Sequence, residues 1–205
     1  ALGFSGYLLN LLGIDQPLAR ILIAVAVVAV LTAVILRGIR SSNRINTLIV
    51  SVTLAALLFF VLAGLPAATA KASANLIPFF APQTGEPPWQ AVLHATALMF
   101  VAYTGYGRIA TLGEEVHEPR RTIPAAIITA LVVTMLLYVL VGFTAVASVG
   151  AEEYAALTQA TAAPLEAIAR QFSIPGAGLI LAVGAMTAML GVLLNLILGL
   201  SRVLL

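Results

Sequence analysis

The chain has 205 residues, of which 61% are hydrophobic and only 9% charged, with a mean hydropathy of +1.10. Soluble domains carry about 25% charged residues, and a fold of this size leaves too much surface wet to hide so much apolar side chain in one core. The composition excludes an ordinary soluble domain and calls for lipid as the solvent.

The net charge of +2 is split among short segments rather than clustered, which argues against a nucleic-acid partner. The chain has no cysteine, so disulfides and thiolate metal sites are excluded. His94 and His117 are too few and too far apart for a metal cluster. No nucleotide loop, catalytic triad or metal motif is present, so no cofactor and no enzyme chemistry are expected. The chain starts at Ala1 without methionine and ends at Leu205 inside an apolar run, with no signal-peptide pattern. The expectation is that both ends of a longer protein are missing.

Residues 1–17 are apolar but punctuated by Gly3, Gly6, Gly13 and Pro17, which reads as the end of an earlier span plus a loop. A bilayer core of about 30 Å needs roughly 20 apolar helical residues. Five segments qualify: residues 18–36, 45–65, 90–112, 122–148 and 176–204. The first is rich in Val and Ile, yet its unbroken length argues for a membrane helix rather than a strand. The segments between, about 66–89 and 149–175, hold seven prolines and read as ordered outer loops. Orientation follows from the basic residues. Arg37, Arg40, Arg44, Arg108, Arg120, Arg121 and Arg202 fall on one side, and Arg20, Lys71 and Arg170 on the other. The richer side is expected in the cytoplasm.

The third span is the informative one. Gly105 and Gly107 lie inside it, flanked by Tyr103, Thr104 and Tyr106, and charge follows within a turn. Glycine in a membrane helix often serves close packing. With polar and aromatic neighbours, a broken helix is the better reading, with residues 101–106 non-helical. Unwound backbone is tolerated at membrane depth only in a polar cavity or against a ligand. The outer half-helix, about 90–102, would end on carbonyls and the negative end of its dipole, suited to an ammonium group or a cation. The inner half, from about Gly107, would present amides. Broken helices of this kind mark midplane sites in secondary transporters. Glu114, Glu115, Glu118, Arg120 and Arg121 follow, either as a solvated cytoplasmic loop or as an inner gate with acids and bases paired. Pro119 is expected to end the helical turn, and Thr122 to cap the fourth span with Pro124 in its first turn.

These residues resemble the amino acid–polyamine–organocation superfamily of permeases. The resemblance rests on Phe100, Ala102, Tyr103, Gly105 and Tyr106, then Glu114, Glu115, Val116, Pro119, Arg121, Ile123 and Pro124. Ser201-Arg202, and Asn46 with Phe60 and Gly64, also look like this family. The resemblance implies an all-α membrane protein with part of an inverted-repeat, LeuT-like transporter fold, its five spans matching helices four to eight. Residues 1–65 would close the first repeat, 66–89 would join the repeats outside, and 90–205 would open the second. That second part would hold the broken helix 90–112, the cytoplasmic loop 113–121 and two further spans.

The resemblance also implies the site. Carbonyls of Val101, Ala102 and Thr104 would receive the substrate's amino group, with Phe100 and Tyr103 as aromatic contacts beside Gly105 and Tyr106. Glu114, Glu115 and Arg121 would form the cytoplasmic gate. The resemblance implies a coupling ion, proton or sodium, and at the position where proton-coupled members often carry a lysine this chain has Thr53, a neutral hydroxyl that cannot supply that charge. Gly107 replaces the acidic residue often found just after the break.

The remaining features have simpler readings. Gly184, Ala188 and Gly191 form a ladder for helix packing, or lie beside an ion site. Asn195 and Ser201 read as interhelical hydrogen bonds. His94 and Trp89 suit the membrane interface. Glu152, Glu153 and Glu166 are expected to face outer solvent. The function expected is secondary transport of an amino acid or amine across a cell membrane (plasma or bacterial inner membrane) by alternating access. The alternative is an ion channel or a structural membrane subunit without a coupled substrate.

Overall fold

The computed structural model describes residues 1–14, 16–36, 39–77, 87–103, 105, 116, 118–161 and 163–203. Among these, every regular element is helical: α1 Leu2–Leu11, α2 Pro17–Leu36, α3 Ile39–Asn75, α4 Pro88–Tyr103, α5 Pro119–Val149, α6 Ala151–Ala160, α7 Pro164–Ala169 and α8 Ala177–Val203. A backbone in lipid must satisfy its own polar groups, and a helix does so within one segment. Four of the helices (α2, α4, α5 and α7) open on proline. There the missing N–H costs nothing and the fixed φ is already helical.

Four helices are long and apolar enough to cross a membrane: Pro17–Leu36, Arg44–Asn75, Pro119–Val149 and Ala177–Leu200. They correspond to the first, second, fourth and fifth expected spans. α4 has 16 residues, about 24 Å at the ~1.5 Å rise of a helix, so it falls short as described. Most of what the third span needed beyond it, at 104 and 106–112, lies outside the described residues.

Several boundaries differ from the sequence reading, each for a physical reason. Residues 66–75, expected in a loop, continue α3 with Pro66 inside the helix. Proline removes one N–H and crowds one carbonyl, but an alanine-rich stretch, residues 67–74, lets the helix resume. The expected outer loop 149–175 contains α6 and α7. α5 begins at Pro119, not after Thr122, and Glu118 is its N-cap, held at φ 49° without a side-chain capping bond. Pro119 therefore starts a helix rather than ending one, and Pro124 sits inside α5.

The described chain forms two compact units, Ala1–Ala67 with Glu152–Leu205, and Ala68–Ala151. In the first, Leu31, Ile49 and Leu194 form a buried cluster from α2, α3 and α8, flanked by Ile45, Leu190 and Ile197. Phe60, fully buried, stacks at 5.3 Å on Phe172, just beyond α7. The glycine ladder sets the closeness of α8 to α3. A Cβ on Gly184 would overlap the Ala56 Cβ, and one on Gly191 would lie 2.9 Å from Ile49 Cγ2. The packing reading of that ladder is therefore correct. In the second unit, Asn75 Nδ2 donates to the Ala147 carbonyl at 2.9 Å. Gly150 then takes φ 89° and returns its N–H to Val146 O at 2.8 Å, closing the end of α5.

Candidate functional site

The outer approach to the expected break is α4. Phe100, Val101 and Ala102 are exposed and lie in its last turn, which ends at Tyr103. This corrects the expectation that residues 101–103 are non-helical. Their carbonyls belong to a helix C-terminus, the place where helical carbonyls outnumber their intrahelical partners. Tyr103 is half-buried because its ring packs edge-on against Tyr138 of α5, with centroids 5.4 Å apart and planes at 62°. Among the described residues, nothing lies within 4 Å of where a Cβ on Gly105 would stand. Thr104, Tyr106, Glu114 and Glu115 lie outside the described residues. Arg121 is exposed on the first turn of α5, where its backbone N–H donates to Glu118 O at 3.0 Å.

Thr53 lies in the other unit. Its hydroxyl is 3.1 Å from that of Thr187 on α8, and it also bonds the Ile49 carbonyl at 3.0 Å. The Thr187 hydroxyl also lies 2.8 Å from the Gly184 carbonyl, an alternative acceptor for its single proton when it does not donate to Thr53. The two threonines form a polar cross-link between helices that otherwise meet through glycine and alanine. About two helical turns away, Asn195 Nδ2 donates to Asn46 Oδ1 at 3.1 Å and to Gly191 O at 3.0 Å. That confirms the interhelical reading of Asn195. Thr53 also lines a mostly apolar cavity of about 280 Å³, whose walls include Ala56, Leu181, Ala185 and Ala188.

At the far wall of this cavity stands a group the sequence placed wrongly. Glu166, expected in outer solvent, is 8% exposed. Its Oε1 accepts from Arg170 Nη2 at 2.6 Å and Nε at 3.2 Å, and Tyr7 of α1 lines the same cavity. A charged residue tolerates burial when it is paired and hydrogen-bonded, and Arg170 supplies both here. Arg170, four residues on in the same stretch, was a readable partner. That Tyr7 shares the cavity wall was not readable, because it comes from the opposite end of the chain.

Comparison with known proteins settles the family. A family model described as amino acid permease matches residues 1–205. The chain belongs to the amino acid permease family. An uncharacterized transporter of Mycobacterium tuberculosis (strain ATCC 25618 / H37Rv) is 41% identical over 180 residues, covering 88% of this chain and 39% of that protein. The branched-chain amino acid permease of Lactococcus lactis subsp. cremoris is 28% identical over 200 residues, 96% of this chain and 41% of that protein. The methylthioribose transporter of Bacillus subtilis is 30% identical over 118 residues, 58% of this chain and 24% of that protein. The permease chain thus spans about two fifths, or less, of the length of these relatives. Family and relatives alike are named as permeases and transporters, not enzymes. With four helices fit to span lipid, the permease is a multi-pass membrane protein.

Proposed function

We propose that this permease is part of a secondary active transporter that moves amino acids or related amines across a cell membrane by alternating access. The observation that carries the reading is the family match over the whole chain, which gives meaning to the end of α4 at Tyr103. In this reading the carbonyls of Val101, Ala102 and Thr104 receive the substrate's ammonium group. A helix C-terminus carries about half a negative charge, and an exposed Phe100 beside it offers an apolar and cation-attracting face. Tyr103, Gly105 and Tyr106 complete the site. Glu114 and Glu115 pair with basic groups, Arg121 among them, as the inner gate. Residues 1–65 close one repeat, 66–89 join the repeats, and 90–205 open the next.

Thr53 bears on the coupling ion. Its hydroxyl has no charge to gain or lose in the physiological range, and its bonds to Ile49 and Thr187 make it a neutral polar link. We therefore assign Thr53 no lysine-type proton-carrying role.

The site is tested by uptake of labelled amino acid into proteoliposomes holding the complete transporter. Phe100→Ala should raise KM for the transported amino acid by about tenfold or more, the scale of a lost cation–π and apolar contact. An unchanged KM removes Phe100 from the site. The coupling assignment is tested by imposing a pH gradient at fixed sodium and voltage. Uptake should not respond, and a response returns the proton as the driving ion.

A further inference from the structure

The end of α4 needs something to hold it still. Among the described residues, no side chain of α4 is buried, and only Ala91 near its start and Tyr103 at its end are drawn in from the surface. Helix ends fray, and the last carbonyls of a helix lack intrahelical partners. Here that last turn carries Val101 and Ala102. Tyr103 closes it, and its ring meets Tyr138 of α5 at 5.4 Å between centroids and 62° between planes. That tilted geometry is the one ring quadrupoles favour. Tyr138 is also an unusual residue for its place. It stands roughly 16 Å along the axis from the end of α5 at Val149, about half the ~30 Å hydrocarbon thickness. Membrane tyrosines collect at the interfaces instead. One turn earlier, Thr134 donates to the Ala130 carbonyl of its own helix at 2.7 Å, whereas Tyr138 reaches across to α4.

We propose that Tyr138 is a positioning residue for the substrate site: its ring holds Tyr103, and through it the last turn of α4, in one orientation, without touching the solute. This role rests on the reading that Tyr103 and the neighbouring carbonyls form that site. Both tyrosines belong to the compact unit Ala68–Ala151, so the brace is internal to one body. A tyrosine has two side-chain torsions, and a ring on each side fixes both at little entropic cost. Without the Tyr138 ring, Tyr103 and the turn behind it spread over several orientations. A solute must then order them as it binds, and that ordering weakens binding. Steps after binding are untouched, so the loss falls on KM rather than on kcat.

The test is uptake kinetics in proteoliposomes holding the complete transporter, with whichever of the standard labelled amino acids it takes up fastest. Size-exclusion chromatography selects variants that fold. Tyr138→Leu and Tyr138→Met each remove the ring and should raise KM by about three- to tenfold, the factor that an aromatic pair gives, with kcat within about twofold of the parent. Tyr138→Phe keeps the ring and should match the parent in both. Tyr103→Leu should raise KM at least as much as Tyr138→Leu, and Tyr138→Leu added to it should change nothing further. A raised KM in Tyr103→Leu with a normal KM in Tyr138→Leu overturns the brace alone. A normal KM in Tyr103→Leu, or uptake of no amino acid at all, overturns the site reading and the brace with it. A defect in Tyr138→Phe equal to that of Tyr138→Leu overturns the brace, because the hydroxyl would then act on the solute directly. Full additivity in the double variant overturns it too, because Tyr138 would then act independently of Tyr103.

Discussion

Replacing Gly184 by alanine puts the contact between α3 and α8 to a quantitative test. The added Cβ would overlap the Ala56 Cβ, whereas ordinary carbon contacts lie near 3.5–4.0 Å. Neither atom can rotate away, since a Cβ is fixed by its backbone. The two helices must part by about 1 Å or more, a shift that also stretches the 3.1 Å bond between Thr53 and Thr187. Overpacking of this kind costs about 1–3 kcal/mol, and alanine's better helix propensity returns up to about 1 kcal/mol. The net loss is about 1–2 kcal/mol, or roughly 2–8 °C in Tm for a chain of this size. Thermal unfolding in detergent, followed by size-exclusion chromatography, measures it. Ala56→Gly in the same background should restore most of the loss, because it removes the opposing atom. Gly199, which has no atom of the described residues within 4 Å of where a Cβ would stand, is the control, and Gly199→Ala should not lower Tm. A Gly184→Ala protein as stable as the parent, or one that Ala56→Gly does not rescue, refutes the close-packing argument.

Two further substitutions test other parts of the fold. Phe60→Ala empties a fully buried site beside Phe172 and should cost about 3–5 kcal/mol, read as a fall in the same Tm. A loss below about 1 kcal/mol would mean that this pair does not form part of the core. Glu118→Gly relieves a left-handed residue at φ 49° that makes no side-chain capping bond. It should raise stability by a few tenths of a kcal/mol up to about 1 kcal/mol, and a clear drop would show that the Glu118 side chain has a partner.

Much of the fold was legible in the sequence because lipid imposes a simple rule. Residues 18–36, 45–65, 122–148 and 176–204 are long apolar runs, and each corresponds to a helix fit to cross a membrane. Elements outside the bilayer followed other rules. Pro66 read as a stop, yet α3 passes through it to Asn75, since one missing N–H does not outweigh a helical context on both sides. Glu166 read as solvated because a carboxylate between prolines usually is. It is buried on a cavity wall that also holds Tyr7, more than 150 residues away, and no local pattern announces that neighbour. The site divides in the same way. Gly105 and its aromatic neighbours marked the end of α4 from sequence. Tyr138 and Thr187 were missed, because an apolar helix gives no sign of which of its polar side chains meets a distant partner. Thr187 did sit one turn from Gly184 in the small-residue ladder, and a hydroxyl on a packing face was the available clue.

The central claim, that this permease belongs to a transporter of amino acids or amines, is tested most directly by a substrate panel. The complete protein is reconstituted in vesicles, and uptake of each labelled amino acid and of simple amines is measured with and without a sodium gradient. The account predicts saturable uptake of at least one of them, inhibited by its close analogues. Reconstituted protein that passes ions while taking up no member of the panel would contradict it and would make the chain part of a channel.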